Sequence, residues 1–329
     1  QYGKEEGLKT KKRIILFILI LVLLLGALSF VIQRVALGMK NGIVGRSRAF
    51  ATVSAEAKET IDVLVIGDSE SYTSMSPMDL WSQTGITSFD CGQPGQRIQE
   101  TCFLLKEALK TQSPKIVILE TNAMFRDPGF LENISMSIIE PIRYYFPVFR
   151  YHNLWKQIFD GKKDPGRSVF KGFEIRDKVV PYEGSDQYMK ETEDVQEIPK
   201  FVRHYMEDIK KMCEEKNADL LLMSAPSPHN YNYKKHNALE NYAKENGLPY
   251  IDLNMKTKEI GIDWKKDSYD KGDHLNLHGA QKVTAYMGKY LTENYSLPDH
   301  RGEDGYQEWE ALSVQFQAEV ESRSLKAGK

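Results

Sequence analysis

The chain has 329 residues, with 44 basic and 46 acidic side chains and a net charge of -2, so composition makes no electrostatic case for a nucleic-acid partner. Its three cysteines, Cys91, Cys102 and Cys213, form no CxxC pair, which excludes a cysteine-rich zinc site or a disulfide framework and leaves reduced, buried thiols as the expectation, with one disulfide open. The length allows one large domain or two small ones with ample core. The chain begins at Gln1 rather than methionine, so a few native residues are expected before it.

Residues Ile14 to Ile32 are apolar apart from Gly26 and Ser29. Nineteen helical residues span about 28 Å, enough to cross a hydrocarbon core. A cleaved signal peptide would carry a shorter apolar run followed by a small-residue cleavage site, whereas Ala27 and Ser29 lie inside the run, so an uncleaved anchor is expected. Lys9, Lys11, Lys12 and Arg13 crowd the N-terminal flank, and Arg34 and Lys40 are sparser on the other. The positive-inside rule then puts residues 1–13 in the cytoplasm and everything after about residue 33 outside. That placement removes ATP and NAD(P)H as cofactors and directs attention to envelope or secreted material.

Residues 33–60 carry Gly38, Gly42 and Gly45 with scattered charges and read as a stalk. The domain proper runs from 61 to 297. Val63 to Ile66 form a short, β-branched apolar run of the kind that makes a buried strand, and it stops at Gly67-Asp68-Ser69. A glycine there permits a sharp turn, and a serine just past a central strand sits where open α/β sheets bind ligands. Ser69 is therefore the candidate nucleophile, against the plain alternative of a turn built from turn-forming residues. A helix over 77–84 and a strand from Ile86 to Asp90 follow. After the loop Cys91-Gly92-Gln93-Pro94-Gly95-Gln96, Ile98, Cys102, Leu105 and Leu109 recur at helical spacing. Lys115 to Glu120 is another buried strand, with Thr121-Asn122 just beyond it.

Between 125 and 196 the alternation is lost: an aromatic cluster (Tyr144, Tyr145, Phe146, Phe149, Tyr151, Trp155, Phe159) precedes a glycine- and lysine-rich stretch at 161–172, read as a cap-like insertion. Regularity returns with a helix near 199–216, a strand at 218–224, a helix at 235–246, a strand at 249–253 and a helix from Gly279 to Tyr290. This alternation predicts a three-layer α/β/α, doubly wound parallel sheet. The tail at 298–329 is polar, with a helix expected to carry Tyr306, Trp309, Leu312 and Phe316 on one side and no function read into it.

The loop from Ser268 to Gly279 sets Asp270 and Asp273 beside His274 and His278, immediately before a helix. A serine enzyme needs an imidazole to remove the hydroxyl proton and an acid to orient and stabilise that imidazole. Metal binding and simple helix capping are the competing uses of such a loop.

In these residues the chain resembles the SGNH (GDSL-type) hydrolases, from about Asp62 to Leu291. Gly67-Asp68-Ser69 is similar to the first block of that family, which makes Ser69 the nucleophile. Asp90-Cys91-Gly92-Gln93-Pro94-Gly95 resembles the second, so the resemblance implies that Gly95, with Gly92 the second choice, donates a backbone N–H to the oxyanion. Glu120-Thr121-Asn122 stands where many members have Gly-x-Asn-Asp and matches Asn122 to the oxyanion asparagine. His274-Leu275-Asn276-Leu277-His278-Gly279 resembles the His-x-Asn-x-x-Gly run, making His274 the base and His278 an incidental neighbour. The family's Asp-x-x-His pattern is broken, because Lys271 stands three before His274; the closer spacing in the envelope acyltransferase branch leans towards Asp273, with Asp270 the alternative. The anchor and the HLN run are similar to the alginate-type polysaccharide O-acetyltransferases and to the D-alanine transfer protein of teichoic acid synthesis. The resemblance implies an acyl-Ser69 intermediate, no metal or cofactor, an acceptor such as envelope polysaccharide or teichoic acid, and a multi-span membrane acyltransferase as partner. Its rivals are a catalytically silent scaffold or glycan-binding component, and a secreted esterase or lipase. The expectation to carry forward is that Ser69 lies within reach of His274, with Gly95 and Asn122 beside it.

Overall fold

The apolar runs that end at Ile66, Glu120 and Ser224 become the three inner strands of one parallel sheet. The structure, a computed structural model, describes residues 2–38, 47–154, 169–184 and 186–327. The strands are β1 (Val63–Ile66), β2 (Ser88–Asp90), β3 (Ile116–Glu120), β6 (Asp219–Ser224) and β7 (Tyr250–Asp252) in the order β2-β1-β3-β6-β7, with β4 (Val169–Phe170) and β5 (Phe173–Glu174) forming a separate antiparallel ribbon. Val63 lies opposite Ser88 on one side and Ile116 on the other, and Glu120 lies opposite Met223. Helices cover both faces, which is why the strands read as continuous apolar runs rather than as alternating ones.

Alternate side chains enter two separate cores. Leu64, Ile66, Val117, Leu119, Leu220 and Leu222 face α2 (Arg48–Ser54), α5 (Ile98–Ala108), α8 (Lys200–Glu215) and α9 (Tyr233–Asn246). Val63, Val65, Ile116, Ile118, Leu221 and Met223 face Leu80 of α4 (Pro77–Thr84) and Val283, Met287 and Leu291 of α11 (Leu277–Asn294), with Ile260 of the short α10 (Thr257–Ile260) at the margin. The fold is thus a three-layer α/β/α doubly wound sheet, as the alternation predicts. The strand order reverses between β1 and β3, and the crevice at their C-terminal ends is where such sheets place ligands. Ser69 follows β1 and Asn122 follows β3, so both border that crevice.

Three stretches differ from the sequence expectation. Of the 33–60 stalk, residues 39–46 lie outside the described residues; residues 33–38 extend α1 (Tyr2–Gly38), and 48–54 form α2. Ala49, Phe50 and Val53 of α2 are buried in the core, so this part serves as packing and not as a spacer. The insertion at 125–196 contains a 16-residue helix, α6 (Phe130–Tyr145), and a short α7 (Pro147–Arg150); Trp155, Phe159 and residues 161–168 of the expected aromatic and glycine-rich stretches lie outside the described residues. The polar tail does carry the expected helix, α12 (Gln307–Ala327), and it docks: Trp309 and Phe316 are buried with Met78, Trp81 and Phe173, the Trp81 and Trp309 rings 5.5 Å apart. The three cysteines are buried and unpaired.

Lys9–Gly38 within α1 is long and apolar enough to cross a membrane, an 18-residue window of it having a mean hydropathy of 3.3, a property shared by anchors and signal sequences. Its far end touches the domain: Ser29 Oγ accepts a hydrogen bond from the Val148 N–H at 3.3 Å, and Ile32, Val35 and Ala36 pack with Ala51, Tyr151 and Leu154.

Gly67 makes the turn after β1 possible. Its φ is +152°, and a Cβ there would stand 2.8 Å from the Cβ of Glu120. Gly67→Ala should therefore cost about 1–3 kcal/mol through strain and overpacking, read as a lower denaturant midpoint at unchanged slope.

Candidate active site

β1 hands the chain to α3 (Ser69–Ser74) through Asp68, which caps the helix by accepting the Glu70 N–H at 3.0 Å. Ser69 therefore occupies the first helical position. Gly92 backs this turn: a Cβ at Gly92 would lie 2.0 Å from Ser71 Oγ and 2.5 Å from the Asp68 carbonyl oxygen. Gly95 sits three residues on, in the left-handed region at φ +58°. By contact, Gly92 is the glycine set against the Ser69 turn.

His274 arrives on a loop that doubles back on itself. Ser268 and Leu275 form an antiparallel bridge, and Lys271 and Gly272 at the tip both adopt positive φ, +64° and +87°. That turn brings Asp270 opposite the imidazole. Asp270 accepts the His274 backbone N–H with Oδ1 at 2.7 Å and meets ring Nδ1 with Oδ2 at 2.7 Å. Asp273 stays 3.7 Å from Nδ1, and its carboxylate instead accepts from the Asn230 side-chain amide. The leaning towards Asp273 is thus corrected in geometry: Asp270, and not Asp273, is hydrogen-bonded to His274. The physical reason is the left-handed step at Lys271, which no spacing rule reports. Burial works to raise the Asp270 carboxyl, but the hydrogen bonds and charge of His274 outweigh it and hold Asp270 below the ordinary carboxylate range. An ionised Asp270 accepts only, so Nδ1 carries the ring proton and Nε2 is left as the acceptor.

Nε2 of His274 is buried and has no hydrogen-bond partner. No hydrogen bond joins it to Ser69 Oγ, a looseness common before substrate binds. The loop nevertheless meets α3 one residue beyond Ser69: ligand atoms of Glu70, Asp273 and His274 lie within 4.8 Å of one another. Those three could in principle hold a metal. The Asn230 amide, however, already donates to Glu70 Oε1 at 2.7 Å and to Asp273, so a cation would have to displace it. His278 stands apart, its Nδ1 2.6 Å from the buried Asp267, which also pairs with Lys282.

Asn122 is buried at the start of a 3-10 turn after β3. Its side-chain amide donates to Asp68 Oδ2 at 2.9 Å, and its Oδ1 accepts from Lys235 Nζ at 3.4 Å. Arg126 Nε adds a 2.5 Å contact to the same Asp68 oxygen. Around them lie Glu70 and Glu120, both buried. Burial, reinforced by the charges of Asp68, Glu120 and Asp273, pushes the Glu70 carboxyl well up, and the Asn230 hydrogen bond opposes this only in part. Burial and Asp68 push Glu120 well up in the same way. Lys235 is lowered by burial despite the acids beside it, whereas Asp68 holds Arg126 up against the burial that opposes it. Glu70, Arg126, Asn230 and Lys235 escaped the sequence reading. Glu70, a charge directly after a candidate nucleophile at a strand end, was the one with a legible signal.

No protein-family model matches the chain, and no curated protein does. Among solved structures, it is similar to a GDSL-like lipase from Bacteroides thetaiotaomicron, at 13% identity and TM-score 0.39, over 75% of this chain and 97% of that one. It is also similar to the lipase/acylhydrolase from Enterococcus faecalis, at 14% identity and TM-score 0.38, over 72% and 98%. The structural neighbours are therefore GDSL-type lipolytic hydrolases, at a distance where the named residues, and not the likeness, must carry any claim about activity.

Glu70 gives a pH test. Burial raises its carboxyl well above the ordinary value of 4.5 in the fold, whereas in the unfolded chain it ionises around that value. Stability is therefore lost as pH rises from that value towards the raised folded one. Glu70→Gln, which keeps an acceptor for Asn230, should melt higher than wild type at pH 8, with the gap closing towards pH 4.5; a gap independent of pH contradicts the burial argument.

Proposed function

We propose that the protein is a membrane-anchored, extracytoplasmic serine acyl-transfer enzyme acting on O-acyl groups, acetyl or D-alanyl, of a cell-envelope glycan. The observation that carries the reading is the Asp270–His274 pair, held against the helix that begins at Ser69 with Nε2 buried and unpartnered. In the reaction Ser69 Oγ attacks the acyl carbonyl while its proton passes to His274 Nε2. The resulting oxyanion is stabilised by backbone N–H groups at Ser69 and at Gly92 or Gly95, and by the Asn122 amide. His274 then returns the proton to the leaving hydroxyl. The acyl-Ser69 ester is resolved by water in an esterase or by a sugar hydroxyl in a transferase. Supporting the location are the apolar span in α1 and the basic cluster at its N-terminal flank. The proposed partner is a multi-span membrane acyltransferase that delivers the acyl group.

One observation favours a second reading, a catalytically silent scaffold of an acylation complex: the Asn122 amide is engaged with Asp68. A serine-reactive fluorophosphonate probe separates the two. Wild type should label and Ser69→Ala should not; absence of labelling in wild type, or equal labelling in both, would sink the enzyme.

The triad assignment has its own test. Asp270→Asn should lower kcat for a soluble acetyl ester about 10³-fold or more, because the imidazole loses its orienting acid. Asp273→Asn should cost about tenfold or less, since its contact is with Asn230 and not with Nδ1. The reverse ranking would return the role to Asp273.

A further inference from the structure

Helix α6 is amphipathic the wrong way round for a helix on a water-soluble domain. Its protein-facing side is mainly polar, with Tyr144, packed on Phe103, the buried aromatic in it. Asn133 bonds Asp127 at 2.8 Å, Ser137 accepts from Tyr205 at 3.0 Å, and Glu140 is fully buried between Arg143 at 2.8 Å and Arg150 at 3.0 Å. Its outer side is apolar. Phe130, Leu131, Ile134, Ile138, Ile142 and Tyr145 are 77, 81, 43, 58, 43 and 61% exposed. At 100° per residue, these six fall within an arc of about 120°. Phe149 of α7 continues the patch, 42% exposed. Contiguous apolar surface of this kind marks a contact with something other than water.

A second observation says what that contact is. The Val148 N–H of α7, three residues past the end of α6, is bonded to Ser29 of α1. Ser29 lies inside the apolar span that ends at Ile32, about 4.5 Å short of its end at 1.5 Å per residue. If α1 crosses the bilayer, the C-terminal end of α6 is therefore held at the depth of the acyl-chain boundary.

We propose that α6 is an interfacial helix, lying in the outer surface of the bilayer with Phe130, Ile134, Ile138, Ile142 and Tyr145 among the lipid acyl chains. The proposal rests on the anchored reading of α1 given above. It accounts for the inversion: water is absent on the outer side, and the ionic groups that would be costly in lipid are paired against the protein. It also places the chemistry. Arg126, bound to Asp68, stands four residues before Phe130, a stretch of at most about 14 Å. The reaction centre is thereby held close to the membrane surface, where acyl groups or acceptors carried on lipid are within reach.

The test uses the full chain reconstituted in phosphatidylcholine–phosphatidylglycerol vesicles. Ile138→Cys and, separately, Phe130→Cys are labelled with bimane, the three native thiols being buried. Lys289→Cys on α11, across the sheet from α5, is the control. Lipids bearing a nitroxide high on the acyl chain should remove about half the emission at 138 and 130 and leave 289 unchanged, as for a helix buried about 5–10 Å into the interface. Either labelled variant alone suffices if the other fails to fold. If the chain resists alkaline carbonate extraction but 138 and 130 are quenched no more than 289, the interfacial helix is overturned while the anchor stands; a stripe reserved for a protein partner gives that same result in lipid-only vesicles. If carbonate releases the chain, the anchored reading itself fails, and this proposal with it.

Discussion

The Asp68 carboxylate is the contact on which the site depends. It is fully buried, and a buried carboxylate persists only when its oxygens are occupied. One oxygen caps α3, so the turn that presents Ser69 is tied to it; the other takes the Asn122 amide and the Arg126 guanidinium. A single side chain thus joins the C-terminal ends of β1 and β3, on either side of the point where strand order reverses, to the root of α6. The register of the inner strands, Ile66 opposite Leu119, sets the height at which these groups meet.

Charge around that contact is strongly unbalanced. Asp68, Glu70, Glu120 and Asp273 converge from three segments, while Arg126 pairs with Asp68 and Lys235, bonded to Asn122 Oδ1, lies near enough to feel Glu120, Asp68 and Glu70. Burial pushes the Glu70 and Glu120 carboxyls well up, and Asn230 is threaded between Glu70 and Asp273. Asn230 also holds the Asp273 carboxylate, which stays 3.7 Å from His274 Nδ1, while Asp270 meets that nitrogen at 2.7 Å. The bridging amide is thus what allows two neighbouring aspartates to do different things.

Much of this was legible in the chain. The strands at 63–66, 116–120 and 219–224 announce themselves because a sheet covered on both faces buries every side chain of theirs but Asp219. Ser69, Asn122 and His274 stand out because each follows a strand or precedes a helix at the same edge of the sheet. Helix α6 was read as irregular for an opposite reason: its polar residues, Asn133, Ser137 and Glu140, face the protein, so a search for an inward apolar stripe passes over it. Arg126, Asn230 and Lys235 left no signal, since single polar residues in loops look alike until the chain is folded.

The sequence by itself determined the layer order, the apolar span near the N-terminus, and which strand ends bear a serine, an asparagine and a histidine, because those follow from local periodicity and turn chemistry. Only the tertiary structure decided that Asp270 and not Asp273 meets His274 Nδ1, that Gly92 backs the Ser69 turn, and that α6 turns its apolar face outward next to α7, which touches α1. Each of those depends on a backbone dihedral or on a contact between segments distant in the chain, and neither is written in the spacing of residues along it.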